Sequence, residues 1–198
     1  MKPRRQRNRA LAIRAILGAL VLGIAACTTP VAIITSDGAE SPYSYQEYQA
    51  AADGRDFLVE VRGVPFAGIS QETFEQALMG VLRSARPARP AANFTTLRGG
   101  PTMVPAYRLV LVFNPARNLA HETQCRGLAS VQPGPPPSGP VRVSVAFCRK
   151  DDLMSKAVAW TSAAGVDDPA FRQMFVELFP VMFPPRNPFI EGPIINWD

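Results

Sequence analysis

The chain has 198 residues, 47% hydrophobic and 19% charged, which suffices for a packed core and excludes disorder throughout. A removable leader of about 26 residues would leave enough for one domain and too little for two cores, so most multidomain enzymes are excluded. The net charge of +5 is misleading: six of the 21 basic residues, Lys2, Arg4, Arg5, Arg7, Arg9 and Arg14, lie in the first 14 positions, and the remainder carries 15 basic against 16 acidic residues. No nucleic-acid partner is expected, because the basicity sits in a targeting segment.

After Arg14 the run Ala15 to Ala26 is uncharged, of the length of a signal-peptide hydrophobic region and short of the ~20 residues that span a bilayer. It ends in Ile24-Ala25-Ala26-Cys27. This tetrapeptide resembles the lipobox of bacterial lipoproteins, and the aliphatic Ile24 is what separates it from an ordinary secretory site. The resemblance covers only the leader, residues 1–26, and Cys27. It implies a diacylglyceryl group on the Cys27 thiol, cleavage before Cys27, and attachment to the membrane by two or three acyl chains instead of a transmembrane helix. Thr28 follows, where lipoproteins kept at the inner membrane often have Asp, so the resemblance favours the outer membrane, with the domain facing the periplasm.

Once Cys27 is assigned, Cys125 and Cys148 remain as an even pair in an oxidising compartment, and a disulfide is expected between them, two free thiols being the alternative. Residues 27–54 read as the lipidated cysteine and a flexible tether, small and polar, with Ser41-Pro42 and Tyr43, Tyr45 and Tyr48. The tyrosines could dock on the domain or on the membrane interface, and a short helix over 45–52 is compatible with the composition.

The domain is expected over residues 55–183. Phe57 to Arg62 alternates as a strand. Ser70 has the position of a helix N-cap, and Phe74, Ala77, Leu78, Val81 and Leu82 recur with helical spacing until Pro87 and Pro90, which open an irregular stretch. Tyr107 to Phe113 and Val141 to Arg149 are strands, separated by a Pro-rich surface loop from Pro133 to Pro140. Another strand is expected around Lys156 to Thr161. Asp168-Pro169 opens a second helix with Phe171, Met174, Phe175, Leu178, Phe179 and Met182 on its apolar stripe. Residues 184–198 form an extended, Pro-rich tail that could lie across the domain through Phe189, Ile194, Ile195 and Trp197.

The order β-α-β-β-β-α predicts an α+β domain with a four-stranded, largely antiparallel sheet and two helices on one face. The other face would then be solvated or would offer Arg62, Arg108 and Arg142 to a partner. The lone His121 has no second histidine for a zinc site, and there is no GxSxG, Walker A, GxGxxG or CxxC, so no catalytic residue, metal ligand or cofactor is assigned. The carboxylate pairs Asp151-Asp152 and Asp167-Asp168 fall at turns and a helix start, where capping accounts for them. The expectation is a non-enzymatic, lipid-anchored envelope module that binds another envelope protein. A hydrolase of cell-wall or lipid material without a recognisable motif is the alternative, and a purely structural role is the third.

Overall fold

A computed structural model describes residues 33–116, 119–132, 134, 139–187 and 189. The elements are β1 (Ile33–Ala39), α1 (Tyr45–Ala52), β2 (Asp56–Arg62), α2 (Gln71–Ala85), β3 (Asn93–Thr95), β4 (Tyr107–Phe113), α3 (His121–Arg126), a 3-10 turn (Leu128–Ser130), β5 (Val141–Arg149), β6 (Asp152–Thr161) and α4 (Pro169–Met182). They build one six-stranded sheet in the order β1-β6-β5-β4-β2-β3. The pairs β1/β6, β6/β5 and β5/β4 are antiparallel, while β2 runs parallel to both β4 and β3.

This corrects the expected four-stranded, largely antiparallel sheet with two helices on one face. The class, α+β, stands, but the sheet is six-stranded and mixed, and the described residues contain four α-helices distributed over both faces. Two strands were hidden for physical reasons. β1 is an edge strand whose middle is Thr-Ser-Asp-Gly, with a register shift between Ser36 and Gly38, so it carries no long apolar alternation. β3 has three residues, too few for a period to be read.

The segment expected to be a tether is also largely part of the fold. Ala39, Tyr43, Tyr48, Ala51 and Ala52 all belong to the main core, and Ser44 caps α1 by accepting from the Glu47 N–H at 3.3 Å. Burial pushes the Tyr43 and Tyr48 phenols well above the ordinary tyrosine range. The C-terminal segment closes over this corner. Tyr43 donates to the Pro184 carbonyl at 2.9 Å, and the Asn187 amide donates to the carbonyls of Glu40, Ser41 and Tyr43. Phe189 is 65% exposed, and Ile194, Ile195 and Trp197 lie outside the described residues.

The main core fills the space between the sheet and α1, α2 and α4, and it is dominated by aromatic rings. Phe57, Val59, Leu109, Leu111, Val143, Val145 and Phe147 point into it from the strands, as alternation requires. Phe74, Leu78 and Leu82 enter from α2, and Phe171, Met174, Phe175 and Leu178 from α4. Both helices start as the sequence indicates: Ser70 accepts from the Thr73 N–H at 3.2 Å, and Asp168 from the Ala170 N–H at 2.9 Å with Pro169 at the first helical position. The N–H groups of Ala164 and Ala170 that point at Asp168 hold its carboxyl below the usual carboxylate range.

The opposite face is covered as well. Val110, Val112, Ala146, Cys148 and Leu153 from the sheet form a second core with Cys125, Val131 and the partly buried Leu119 and Leu128. The short helix α3 and the turn after it therefore lie over strands that the sequence left facing water.

Candidate binding groove

Cys27 lies outside the described residues. Cys125 and Cys148 come together, with Sγ atoms 2.01 Å apart and Cα atoms 5.5 Å apart, and so join α3 to the middle of the sheet. Pro133 and residues 135–138 of the Pro-rich loop are outside the description; Val131, before the loop, belongs to the second core and Val141, after it, to the main core.

The three arginines do share the α3 side of the sheet, yet they do not form one open patch. Arg62 donates to the Leu128 carbonyl at 3.1 Å. Arg108 donates to the carbonyls of Lys150, at 2.8 Å, and Cys125, and its Nε lies 3.3 Å from Glu60 Oε2. Its side chain is only 13% exposed. Arg142 stands apart on β5, with its guanidinium 5.5 Å from the centre of the Trp160 ring. Arg62 and Arg108 thus hold the α3 cover in place by binding main-chain carbonyls at its rim. This changes what a substitution would do. Arg108→Ala should destabilise by about 2 kcal/mol, because it strips charge-assisted bonds from two carbonyls and a nearly buried carboxylate. Arg98→Ala, which removes a side chain 72% exposed, should cost less than ~1 kcal/mol. Urea midpoints of the two variants check the contrast, and equal midpoints would reject a structural role for Arg108.

An open groove of about 560 Å³ lies beside Arg108, lined by Leu58–Val61 of β2, by Glu75 of α2, by Thr96 and Arg98 after β3, and by Gly127–Ala129. Its floor follows from the strand lengths. β2 pairs with β4 as far as Arg62↔Val112, but on its other side the pairing with β3 stops at Leu58↔Thr95. The last residues of β2 therefore have a strand partner on one side only among the described residues. The Val61 carbonyl points outward, where it meets the Gln71 side-chain amide at 3.5 Å, the outer limit of a hydrogen bond. In a strand the N–H of the same residue faces the same way, so Val61 offers both a donor and an acceptor to the groove.

The charged rim is built on Glu60. Its Oε1 accepts from Arg98 and its Oε2 faces Arg108, so a carboxylate only 12% exposed sits between two guanidinium groups. Arg98 is positioned by the loop after β3. The Asp56 N–H donates to Thr102 Oγ1 at 2.9 Å, and Gly100 passes so close that a Cβ there would stand 2.5 Å from Asp56 Oδ2. Leu97 is 77% exposed beside this rim. The sequence did not single out Glu60 with Arg98; the available signal was a glutamate interrupting an otherwise apolar strand, Leu58-Val59-Glu60-Val61, opposite an arginine-bearing neighbour.

Chemically, this arrangement suits recognition of an extended polypeptide. An unpaired stretch of strand edge supplies directional main-chain bonds, and the flanking charges and Leu97 supply side-chain selectivity. Both oxygens of Glu60 are engaged by arginines, which fixes the carboxylate in the rim. Among the described residues there is no group of three or more His, Cys, Asp or Glu side chains arranged to hold a metal ion, and no helix is long and apolar enough to cross a membrane.

Comparison with protein-family models, with curated proteins and with solved structures gives no match to the chain.

Proposed function

We propose that this chain is a lipid-anchored protein of the cell envelope, facing the periplasm from the outer membrane, and that its domain binds another envelope protein instead of catalysing a reaction. The observation that carries the binding half is the groove on the outer edge of β2, where main-chain groups of Val61 meet a rim made by Glu60, Arg98 and Arg108. The anchoring half rests on Ile24-Ala25-Ala26-Cys27 at the end of an uncharged run behind a basic start. Cys125 paired with Cys148 suits an oxidising compartment. The partner would contribute one extended segment, laid along β2 as an added strand.

The anchor is tested first. Cells fed labelled fatty acid should incorporate it into the parent chain and not into Cys27→Ser, and the variant should accumulate at precursor size. Equal labelling of both would remove the anchor from this reading. The binding half is tested by crosslinking in intact cells from Thr96 inside the groove.

A further inference from the structure

We infer that one end of the sheet, marked by Ile33, Trp160 and Arg142, lies against an anionic phospholipid surface, with the Trp160 ring at the level of the headgroups. This rests on the anchor proposed above and adds to it an orientation and a lipid contact. From Cys27 to Ile33 is six residues, which even fully extended span about 20 Å. A domain of this size has a radius of gyration of about 15 Å, hence a width of roughly 40 Å. The leash is about half as long as the body is wide, so the side of the domain that carries the start of β1 can touch the bilayer and the opposite side cannot. The other end of the sheet, where Arg149 pairs with Asp152, is the length of β6 away, about 30 Å.

Ile33 is paired with Trp160, and Trp160 with Arg142, so the three form one row across β1, β6 and β5. Trp160 and Val158 are partly exposed on the side of the sheet away from α2 and α4. The Arg142 guanidinium lies over the indole at 5.5 Å, and no carboxylate pairs with it among the described residues. A tryptophan ring and an arginine cation side by side match the boundary between acyl chains and anionic headgroups. The carboxylates at this end, Asp167 and Asp168, lie where α4 begins, on the other side of the sheet, and Asp168 is engaged in capping. In this orientation the groove on β2 sits four strand spacings from β1, about 19 Å along the membrane.

The test uses the lipidated full-length protein in vesicles of phosphatidylethanolamine and phosphatidylglycerol at 3:1. The chain has two tryptophans, so Trp197→Phe leaves Trp160 as the sole emitter. Lipids brominated close to the headgroup should quench its emission at least twofold, and Arg142→Glu should reverse most of that quenching while the protein still floats with the vesicles. If Trp197→Phe impairs folding, the same signal is read as the difference between the parent chain and Trp160→Phe. Protein that floats but is not quenched would overturn the orientation while leaving the anchor intact. Equal quenching in phosphatidylcholine vesicles would overturn the preference for an anionic surface. Protein that carries no lipid on Cys27 would remove the anchor, and the orientation with it.

Discussion

Phe171→Ala will lower the stability of the domain by about 3–5 kcal/mol and its melting temperature by on the order of 10 °C. Phe171 is fully buried and sits at the junction of three elements and a loop: its ring meets Phe66 before α2, Phe74 on α2, Phe113 at the end of β4 and Phe175 one turn along α4. Truncation removes a large apolar surface and leaves a space that these rings cannot collapse into without abandoning their edge-to-face contacts. Phe189→Ala, in a side chain 65% exposed, serves as the comparison and should shift the midpoint by no more than ~0.5 kcal/mol. Thermal and urea unfolding followed by circular dichroism give both numbers, and similar midpoints for the two variants would contradict the assignment of the core.

Removing the Cys125–Cys148 pair should cost nearly as much, by a different route. The two residues are 23 positions apart, and linking them restricts the unfolded chain by roughly 3–4 kcal/mol in the loop-entropy model. In the folded state the same link holds α3 on the sheet over Val110, Val112 and Ala146. Cys125→Ala with Cys148→Ala should therefore lower the urea midpoint and expose this second core to hydrophobic dyes before the main core unfolds. Reductant should lower the midpoint of the parent chain and leave that of the double variant unchanged. Peptide mapping without reduction should recover the two cysteines linked. Two freely alkylated thiols in the native protein would contradict the pairing.

What the sequence made legible follows from where each element obtains its order. α2 and α4 carry their own caps and apolar stripes, and β2, β4 and β5 their own alternation, so local pattern and tertiary role agree in them. β1 and β3 are strands because of what they lie beside. β1 completes its order against Ser155–Trp160 of β6, more than a hundred residues away, and β3 against Asp56–Leu58 across the whole of α2. Neither neighbour can be seen from within the segment. α3 is six residues long with a single face, Gln124 and Cys125, turned inward, and so short a helix has no period to detect. Because α3 was not visible, Arg62 and Arg108 read as solvated side chains or as ligands for an external partner, whereas their guanidinium groups bind the carbonyls of Leu128, Cys125 and Lys150 within the chain. The groove was illegible for a related reason: it exists where β3 stops short of the end of β2, and the length mismatch of two adjacent strands is not a property of either sequence alone.

The central claim is that the outer edge of β2 takes a strand from another envelope protein, and crosslinking from the groove in intact cells tests it most directly. A benzophenone side chain placed at Thr96 should give one recurring protein adduct, absent when the same group is placed at the exposed Gln173 on α4. Val61→Pro removes the outward N–H of β2 while leaving the ladder to β4 intact; because Val61 also packs against the main core, Val61→Ala is the matched control, and the adduct should be lost in Val61→Pro and kept in Val61→Ala. The same adduct from Thr96 and Gln173, or one undiminished by Val61→Pro, would contradict recognition by strand addition at this edge.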